Sequence, residues 1–413
     1  MLAESKVDRA GDQSLPFLDR AIDVDTHEMV PFHLWGEHFG EELAARLSAC
    51  GRSPNLTENG DNALVRPDVV GDIKEITAQA VAVEKGAGAP GAIDFNRRGE
   101  VMNAQGVNKA LVFPGFGLIG YLLNSSTEFV QTVVQLPYSE EECRELAGLM
   151  IAASNDWAIR VGDGPAGDRL YPAGLITTDT IEGMIDQARS LVERGIKTVW
   201  IPNGRPPANT SPADPALDPF WKLLSDANVS VVMHIGSDNE FNDPNWSSNV
   251  PAFIPFAGRT AEFIMSPYWG SRMHVPAENF IATMVLGGVF ERFPNLRFGA
   301  IEYGAHWLGP LAKNLDIWAR VFPIGLKDVL KKSPSEYIAQ NVRVAPFVFE
   351  AIDEYFKNYP ELEDCYCFST DYPHIEGGKN AKERFIEKLS GFGPDLMEKF
   401  FVKNGEWLLP DHA

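Results

Sequence analysis

Residues 365–378 read CYCFSTDYPHIEGG, and they predict the last strand of a parallel fold together with the loop that follows it. The apolar run 366–368 has the length and composition of a short buried strand. Asp371 comes at the C-terminal end of this strand, and Pro373 then imposes a turn. Barrel enzymes carry functional side chains at strand ends, so Asp371 and the nearby His374 are candidate metal ligands or general bases.

A second group of polar residues lies near the start of the chain, where residues 21–28 read AIDVDTHE. Side chains alternate between the two faces of a strand, so Asp25 and His27 point the same way. A carboxylate and an imidazole on one face, at a strand end, can bind a divalent cation. Asp23 shares this face but lies deeper in the strand.

Two further predicted strands also end on polar residues. Residues 229–236, VSVVMHIG, predict a buried parallel strand that ends at His234. Residues 296–307, LRFGAIEYGAHW, predict a strand that ends at Glu302, with His306 one helical turn later. Because all these strand ends carry Asp, Glu or His, we expect the residues to share one site.

The order of the predicted elements indicates the fold class. Strand candidates alternate with helical patterns, such as the one from Thr180 to Arg194, which is typical of a parallel α/β fold. Eight strands in this order predict a (β/α)8 TIM barrel. A doubly wound sheet is the alternative, but only a closed barrel makes the first and last strands neighbours. The eight candidates are 21–25, 108–113, 171–176, 197–201, 229–234, 296–302, 341–345 and 365–370.

The length of the chain indicates insertions in this barrel. The chain has 413 residues, about 160 more than a typical barrel of about 250 residues. Most of the additional residues fall at 28–106 and 237–280, directly after the first and fifth strands. We therefore expect a single domain, 1–413, whose two long insertions cover the C-terminal mouth of the barrel.

Charge and cysteine content limit the classes of partner. The net charge of −21 argues against nucleic acid or an anionic membrane as the main partner. The apolar stretches are too short to span a bilayer, and the first residues lack the apolar core of a signal peptide. The four cysteines, at positions 50, 143, 365 and 367, give no disulfide framework, so we expect a cytoplasmic protein.

Taken together, the motifs resemble the amidohydrolase-related family of the amidohydrolase superfamily, in the branch of aminocarboxymuconate-semialdehyde decarboxylase and the resorcylate decarboxylases. The resemblance covers about residues 20–408. It implies a barrel with one divalent metal, usually zinc and sometimes manganese or iron. The implied ligands are Asp25, His27, His234 and Asp371. The motifs are I-D-x-D-x-H at the start, RGEVMNAQGV (98–107), NDW (155–157), LDPFW (217–221), VVMHIG (231–236), GGVFERFP (287–294), IEYGAHW (301–307) and STDYPH (369–374).

Three positions depart from the patterns of these relatives. Relatives often continue the first motif as H-x-x-E-P, whereas here Val30 precedes the proline and a glutamate stands at Glu28. The decarboxylases place a histidine at the end of strand six, where this chain has Glu302. Lys197 is expected to begin strand four, so it does not correspond to the bridging carboxylated lysine of the superfamily.

The charges of the candidate ligands suit a transition metal. Two carboxylates neutralise a divalent ion and two imidazoles add affinity, which favours Zn²⁺, with Mn²⁺ or Fe²⁺ as alternatives, over Ca²⁺. Such an ion activates a water molecule or polarises a substrate oxygen. A proton shuttle is also needed, and Glu302, His306 and His374 are the candidates. Alternatively, His374 orients Asp371.

These residues predict a metal-dependent hydrolase or decarboxylase of a small carboxylated or aromatic molecule. Arg205 and Arg272, in the loops after strands four and five, either bind a substrate carboxylate or lie on the surface. One alternative is a dinuclear site, in which Glu28 and Glu302 hold a second ion and support oxidative chemistry. Another is a non-catalytic partner subunit of a homologous chain. We expect a homodimer, or a hetero-oligomer with such a chain.

Overall fold

The computed structural model describes residues 15–48, 68–69, 71–72, 74–125, 136–237, 241, 243–253, 256–257 and 264–411. Cys50 and parts of both expected insertions lie outside the described residues. Within the described part of the chain, no helix is long and apolar enough to cross a membrane.

Seven parallel strands form one sheet, and two short strands form a separate antiparallel pair. The strands are β1 (Ala21–Glu28), β2 (Val107–Pro114), β3 (Leu170–Leu175), β4 (Thr198–Trp200), β5 (Ser230–His234), β6 (Phe256–Ala257), β7 (Ile264–Met265), β8 (Phe298–Ile301) and β9 (Val342–Val344). In the large sheet the order is β1-β2-β3-β4-β5-β8-β9, so each strand pairs with the next strand of that sheet along the chain. Seven of the eight predicted strands are therefore present.

The predicted eighth strand, 365–370, does not form a regular strand, so this part of the prediction is wrong. The segment nevertheless lies between β9 and β1. On one side, the amide of Val344 in β9 donates to the carbonyl of Cys365 (2.8 Å). On the other side, the amide of His27 in β1 donates to the carbonyl of Tyr372 (2.8 Å). The segment thus joins the two ends of the sheet in a barrel-like arrangement.

The irregularity of this segment has a clear cause in its hydrogen bonds. The amide of Phe368 donates to the carbonyl of Phe400 (3.0 Å) instead of to a strand. The amide of Thr370 donates to the Asp23 carboxylate (3.0 Å). Because two amides bond outside a strand ladder, a continuous ladder does not form, and the Asp23 side chain takes the place of a strand carbonyl.

Helices follow the strands and pack against the sheet. The predicted helix at 180–194 is confirmed as Ile181–Glu193, with the Thr180 hydroxyl accepting from the Gly183 amide at its N-terminus (3.1 Å). The α-helices are α1 (Trp35–Phe39), α2 (Glu41–Arg46), α3 (Ala78–Val83), α4 (Arg98–Gln105), α5 (Gly115–Ser125), α6 (Glu140–Gly162), α7 (Ile181–Glu193), α8 (Asp218–Asp226), α9 (Pro267–Gly270), α10 (Val275–Leu286), α11 (Val289–Arg292), α12 (Leu308–Val321), α13 (Pro334–Asn341), α14 (Ile352–Asn358), α15 (Ala381–Leu389), α16 (Pro394–Glu398) and α17 (Asn404–Leu408).

The core lies in and around the sheet. Every residue of β1, β3, β5 and β8 is buried, as expected for parallel strands that are covered on both faces. Lys197 lies directly before β4, at the N-terminal end of the strand as predicted, and it donates to the carbonyl of Gly167 (3.5 Å). Four of the buried polar residues lie at the C-terminal ends of β1, β5 and β8: Asp25, His27, His234 and Glu302.

Candidate metal centre

The structure brings the predicted strand-end residues together. Asp25 and His27 lie in the second half of β1, and His234 is the last residue of β5. Glu302 follows β8 directly, and Asp371 follows the segment that joins β9 to β1. All five side chains are buried. Parallel strands deliver their last residues to the same end of a barrel, which explains why residues so distant in sequence meet there.

The potential ligand atoms are close together. Nε2 of His27 lies 3.2 Å from Oδ1 of Asp25 and 3.0 Å from Oδ1 of Asp371. Nε2 of His234 lies 3.5 Å from the same Asp25 oxygen and 2.8 Å from Oε2 of Glu302. The residues form two overlapping sets of potential ligands, and within each set the ligand atoms lie within 4.8 Å of one another. The sets are Asp25, His27, His234 and Glu302, and His27, Glu302, Asp371 and His374.

The separations of 3.2 Å and 3.0 Å between Nε2 of His27 and the two aspartates suit ligands of one ion. Ligands about 2.1 Å from an ion, at tetrahedral or octahedral angles, lie ~3.0–3.4 Å from each other. Across the described residues, Oδ1 of Asp25, Nε2 of both His27 and His234, and both oxygens of Asp371 are buried without a hydrogen-bond partner. Buried polar atoms are almost always satisfied, so atoms that converge unsatisfied are expected where a cation binds.

The ring of His234 is oriented for coordination by its other nitrogen. Nδ1 lies 2.9 Å from the carbonyl oxygen of Ile235, which can only accept, so Nδ1 carries the proton. Nε2, which faces the cluster, is therefore the nitrogen left to coordinate an ion. A hydrogen bond of this kind is the usual way in which a protein fixes the tautomer of a metal-binding histidine.

Three carboxylates and three histidines form the cluster, and their charges shift the pKa values of one another. Burial lowers the pKa of His234, but Glu302 and Asp25 outweigh it and raise that pKa to about 10. Burial and the neighbouring Asp371 raise the pKa of Glu302. For Asp371, burial acts to raise the pKa, but His374 and His27 hold it below its usual value. A divalent cation would relieve the repulsion between these three carboxylates.

The two carboxylates outside regular strands share an unusual backbone conformation. Glu302 has a φ of 62° and Asp371 a φ of 52°, in the left-handed region that residues other than glycine rarely adopt. Such conformations cost on the order of 1–3 kcal/mol each and occur preferentially at functional sites. Here they turn the chain directly after a strand and direct both carboxylates towards the histidines.

His374 lies at the edge of the cluster in a position that suits two roles. Its ring stacks on that of His27, with centroids 3.7 Å apart and an angle of 19°. Nδ1 of His374 lies 3.1 Å from Oδ1 of Asp371. Its side chain is 18% exposed, more than those of Asp25, His27 and His234, so it is the cluster residue most accessible to a proton donor or substrate.

His306 is not brought into either ligand set. Its side chain is 49% exposed, and Nδ1 lies 3.7 Å from Oε2 of Glu350. Its ring meets that of His274 edge to face, with centroids 4.7 Å apart. Glu350 also accepts from the amides of residues 305, 306 and 347, so it ties the loop after β8 to the loop after β9. The predicted proton-transfer role of His306 stays a prediction.

The two predicted substrate-binding arginines lie in exposed positions. Arg205 is exposed in the loop after β4. Arg272 is exposed between α9 and α10, and its charge acts on His274 and Glu278. For both residues, binding of a substrate carboxylate stays a prediction.

Glu28 does not join the cluster, contrary to its predicted role as ligand of a second ion. Its Oε1 accepts from the amide of Val30 (2.5 Å) and its Oε2 from the amide of Phe116 (3.0 Å). Burial raises its pKa. Both oxygens therefore stabilise the turn after β1 and the start of α5, on the other side of the strand from His27.

Arg98 is a buried residue of the site region whose role the sequence analysis did not identify. Its guanidinium donates to the carbonyl of His27 and lies 4.4 Å from the ring centroid of Phe95 and 5.3 Å from that of Tyr372. Burial lowers its pKa to about 10. Arg98 opens one of the family motifs, but the motif does not show that it supports the strand end that carries His27.

Thr370 is a second such residue. Its amide donates to Oδ1 of Asp23 (3.0 Å) and its hydroxyl to Oδ2 (2.5 Å). Asp23 precedes Asp25 by two positions, and Thr370 directly precedes Asp371. The pair therefore sets the distance between these two carboxylates. Burial raises the pKa of Asp23 to about 7.

Comparison with known proteins identifies the family. A family model described as amidohydrolase matches residues 145–410. The chain belongs to the amidohydrolase family. The family resemblance in the sequence motifs is thereby confirmed. None of the curated proteins is significantly similar to the chain in sequence.

Solved structures of this kind share the fold. An amidohydrolase from Mycobacterium avium subsp. paratuberculosis has a TM-score of 0.61 and 20% identity, with 94% of this chain and 99% of that chain covered. A mutant 5-carboxyvanillate decarboxylase from Novosphingobium aromaticivorans, with bound manganese and 3-methoxy-4-hydroxy-5-nitrobenzoic acid, has a TM-score of 0.54 and 17% identity, with 98% and 99% covered. A 2,6-dihydroxybenzoate decarboxylase from Rhizobium has a TM-score of 0.52 and 14% identity, with 94% and 98% covered.

Proposed function

We propose that this amidohydrolase-family chain is a metal-dependent enzyme that acts on a small aromatic carboxylate, with decarboxylation as the favoured reaction. The proposed ligands of one divalent ion are Asp25, His27, His234 and Asp371. The observation that carries this proposal is the convergence of their buried, unsatisfied ligand atoms at separations suited to an ion. Glu302 is either an additional ligand through Oε2 or an acid close to the ion.

The side chains suit the proton transfer that decarboxylation requires. A divalent ion at this position supplies a Lewis acid for an oxygen of the substrate. When the bond between the ring and the carboxylate breaks, carbon dioxide leaves, the electron pair stays on the ring carbon, and that carbon takes up one proton. Burial and Asp371 raise the pKa of Glu302, which favours its protonated form as the donor of this proton. His374 is the second candidate because it contacts Asp371 at the edge of the cluster.

Two observations on structural neighbours support an aromatic carboxylate as substrate. One neighbour is a 2,6-dihydroxybenzoate decarboxylase complexed with 2,6-dihydroxybenzoate, and another is a 5-carboxyvanillate decarboxylase. In this chain, the His234 side of the centre has aromatic walls: Phe113 lies 4.1 Å and Trp200 5.3 Å from the His234 ring, centroid to centroid. Hydrolysis of a small carboxylated molecule is the second candidate reaction, because the same ligands suit an ion that activates water.

Zinc is the metal we propose first, with manganese as the alternative. Two imidazoles and two or three carboxylates accept either ion. Manganese is present in a decarboxylase of the same fold, which supports the alternative. We further propose a cytoplasmic enzyme, since Cys143, Cys365 and Cys367 are buried as free thiols.

The test combines metal analysis with an assay. Protein purified without chelator should contain about one zinc or manganese ion per chain, and the loaded protein should release carbon dioxide from 2,6-dihydroxybenzoate or 5-carboxyvanillate. Hydrolysis of carboxylated esters or amides without release of carbon dioxide would select the second candidate reaction. Close to two ions per chain would support the dinuclear alternative. A metal-loaded chain inert on every substrate until a homologous chain is added would support the partner-subunit alternative.

A further inference from the structure

A small cavity beside the candidate metal centre reaches the loop after β9, residues 345–350. Its wall includes the three carboxylates of the cluster, Asp25, Glu302 and Asp371, together with residues of this loop. Of the ten described residues that line the cavity, nine are buried and Phe347 alone is partly exposed. Phe347 therefore lies between the cavity and the solvent.

A second aromatic side chain lies against Phe347 on the solvent side. The ring of Phe349 stacks on that of Phe347, with centroids 5.0 Å apart and an angle of 8°. Phe349 is 64% exposed, so it contributes little to the core. Phe347 and Phe349 are called the aromatic entrance, because the two stacked rings lead from the solvent to the wall of the cavity.

Hydrogen bonds fix the backbone of the aromatic entrance. The amide of Phe347 donates to Oε1 of Glu350 (2.6 Å), and the amide of Glu350 donates to the carbonyl of Phe347 (2.9 Å). Nζ of Lys388 donates to the carbonyl of Val348 (2.7 Å) and to that of Glu350. The main chain of the loop thus sets the positions of both rings, although Phe349 hardly packs in the core. Loops held in this way on a rigid scaffold commonly carry binding residues.

The cavity is narrow, so a ligand that enters it contacts its wall. Its volume is about 10 Å³, close to the space that one water molecule needs. A benzene ring that enters from this side therefore has to lie against a side chain of the wall or move it aside. The buried wall residues are held within the barrel. Phe347 has solvent on its other side, so its ring is the one that an entering ligand meets first.

We propose that Phe347, supported by Phe349, is a specificity-determining residue whose ring stacks on the aromatic ring of the substrate beside the candidate metal centre. This assignment rests on the proposed function, since it takes an aromatic carboxylate as the substrate. Two aromatic rings attract each other beyond the burial of their area, whereas a saturated ring gains no such contact. The aromatic entrance therefore selects carboxylates on an aromatic ring over carboxylates on a saturated ring.

The first test measures dissociation constants by isothermal titration calorimetry of the metal-loaded full chain. The probes are benzoate and cyclohexanecarboxylate, which share a carboxylate on a six-membered ring and differ in aromaticity. Phe347→Leu should weaken the binding of benzoate about three- to tenfold, the usual contribution of a stacked aromatic pair, and that of cyclohexanecarboxylate by less than about twofold. Phe322→Leu is the matched control and should change neither value. Phe322 is also 64% exposed and stacks on Trp318 at an angle of 7°, but it lies at the end of α12 and does not line the cavity.

The outcomes separate this assignment from the proposed function. Equal losses for both probes in Phe347→Leu would show that the side chain supplies only bulk, which would overturn the assignment. An unchanged dissociation constant for benzoate would overturn it as well. In both cases the wild type still binds benzoate, so the proposed function stands. A wild type that binds neither benzoate nor 2,6-dihydroxybenzoate would overturn the proposed function together with the assignment.

The second test examines the position of Phe347 between the cavity and the solvent, and it needs no substrate. Phe347→Ala removes the outer part of the wall, so the loaded chain should lose its ion to the chelator dipicolinate several times faster than the wild type. Phe322→Ala should lose the ion at the wild-type rate. Circular dichroism and metal content before addition of chelator should be unchanged in both variants, which separates opening of the cavity from unfolding or loss of ligands. An unchanged rate in Phe347→Ala would contradict the role of Phe347 at the entrance.

Discussion

Nε2 of His27 lies 3.0 Å from Oδ1 of Asp371, so the first strand of the barrel and the last segment of the chain contribute to one site. This contact requires a closed arrangement, because an open doubly wound sheet would not make the first strand and the last segment neighbours. The segment that carries Asp371 is held against β1 by the hydrogen bond from the His27 amide to Tyr372. Fold and site therefore depend on the same closure.

Removal of the Asp371 carboxylate charge should release the metal. Asp371→Asn keeps the shape of the side chain but replaces a carboxylate oxygen that faces His27. We expect metal affinity to fall by more than about 100-fold, since loss of a supporting hydrogen bond alone costs 10–100-fold. Asp353→Asn, at an exposed pair with Lys357, is the control and should retain the metal. Full metal occupancy in Asp371→Asn would refute the ligand assignment.

His374→Gln separates proton transfer from coordination. If His374 moves a proton, the variant should keep its metal and lose about 10²–10⁴-fold in kcat, because that is the usual contribution of general acid–base catalysis. Metal content and the pH profile of kcat are measured together. Loss of metal with loss of kcat would instead identify His374 as a ligand, and an unchanged kcat would exclude both roles.

Arg98→Met should destabilise the barrel near β1. The guanidinium is buried, donates to the His27 carbonyl and lies over the ring of Phe95. Methionine restores some apolar contact but leaves that carbonyl without its donor, so we expect a loss of about 2–4 kcal/mol in the free energy of unfolding. Urea unfolding measures it. Arg189→Met, at an exposed pair with Asp186, should change stability by less than about 1 kcal/mol.

Metal removal should lower stability as well as activity. The folded chain holds Asp25, Glu302 and Asp371 around His27 and His234, and a divalent cation would offset the repulsion between the carboxylates. An ion present at 100 times its dissociation constant adds about 2.7 kcal/mol. Urea unfolding with and without chelator should show this difference for the wild type and much less for Asp371→Asn. Equal curves for the wild type would contradict the proposed centre.

The stability of the chain should depend on His274 at mildly acidic pH. Burial, then His306 and Arg272, lower the pKa of His274 from 6.5 to about 4. The folded state thus holds the ring neutral, and its contribution is fully present above about pH 6.5 and lost as the pH falls towards about 4. Relative to the wild type, His274→Gln should lose less stability across this window. The difference should be on the order of 1 kcal/mol, below the full linkage value because the ring is partly exposed. If the stabilities of the wild type and His274→Gln changed in parallel with pH, this role of His274 would be disproved.

The sequence predicts the fold well where a pattern is local. Apolar runs locate the seven regular strands to within a few residues, as for 229–234 against Ser230–His234. The eighth strand could not be predicted correctly, because its irregularity arises from amides that bond to Phe400 and Asp23, far away in sequence. The hydrophobic pattern of a segment does not reveal hydrogen-bond partners that are distant in sequence.

The site, like the fold, is predictable where it depends on local sequence patterns and not where it depends on contacts between distant segments. Polar residues at strand ends identify Asp25, His27, His234, Glu302 and Asp371, and parallel strands bring such residues together. Glu28 is the instructive correction: strand alternation already places it on the opposite face from His27, and the turn after β1 uses both its oxygens. The support given by Arg98 depends on how α4 packs against β1, which a linear motif does not show.

The closure of the barrel has a mechanical consequence. Between β1 and the last segment, the Asp23 carboxylate takes the place of a continuous backbone ladder. The barrel therefore has a seam, where two main-chain bonds, from Val24 to Phe368 and from His27 to Tyr372, are supplemented by the bonds of the Asp23 side chain. Asp25 and Asp371 lie on opposite sides of this seam. An ion bound to both would link β1 to the last segment and stabilise the closed barrel.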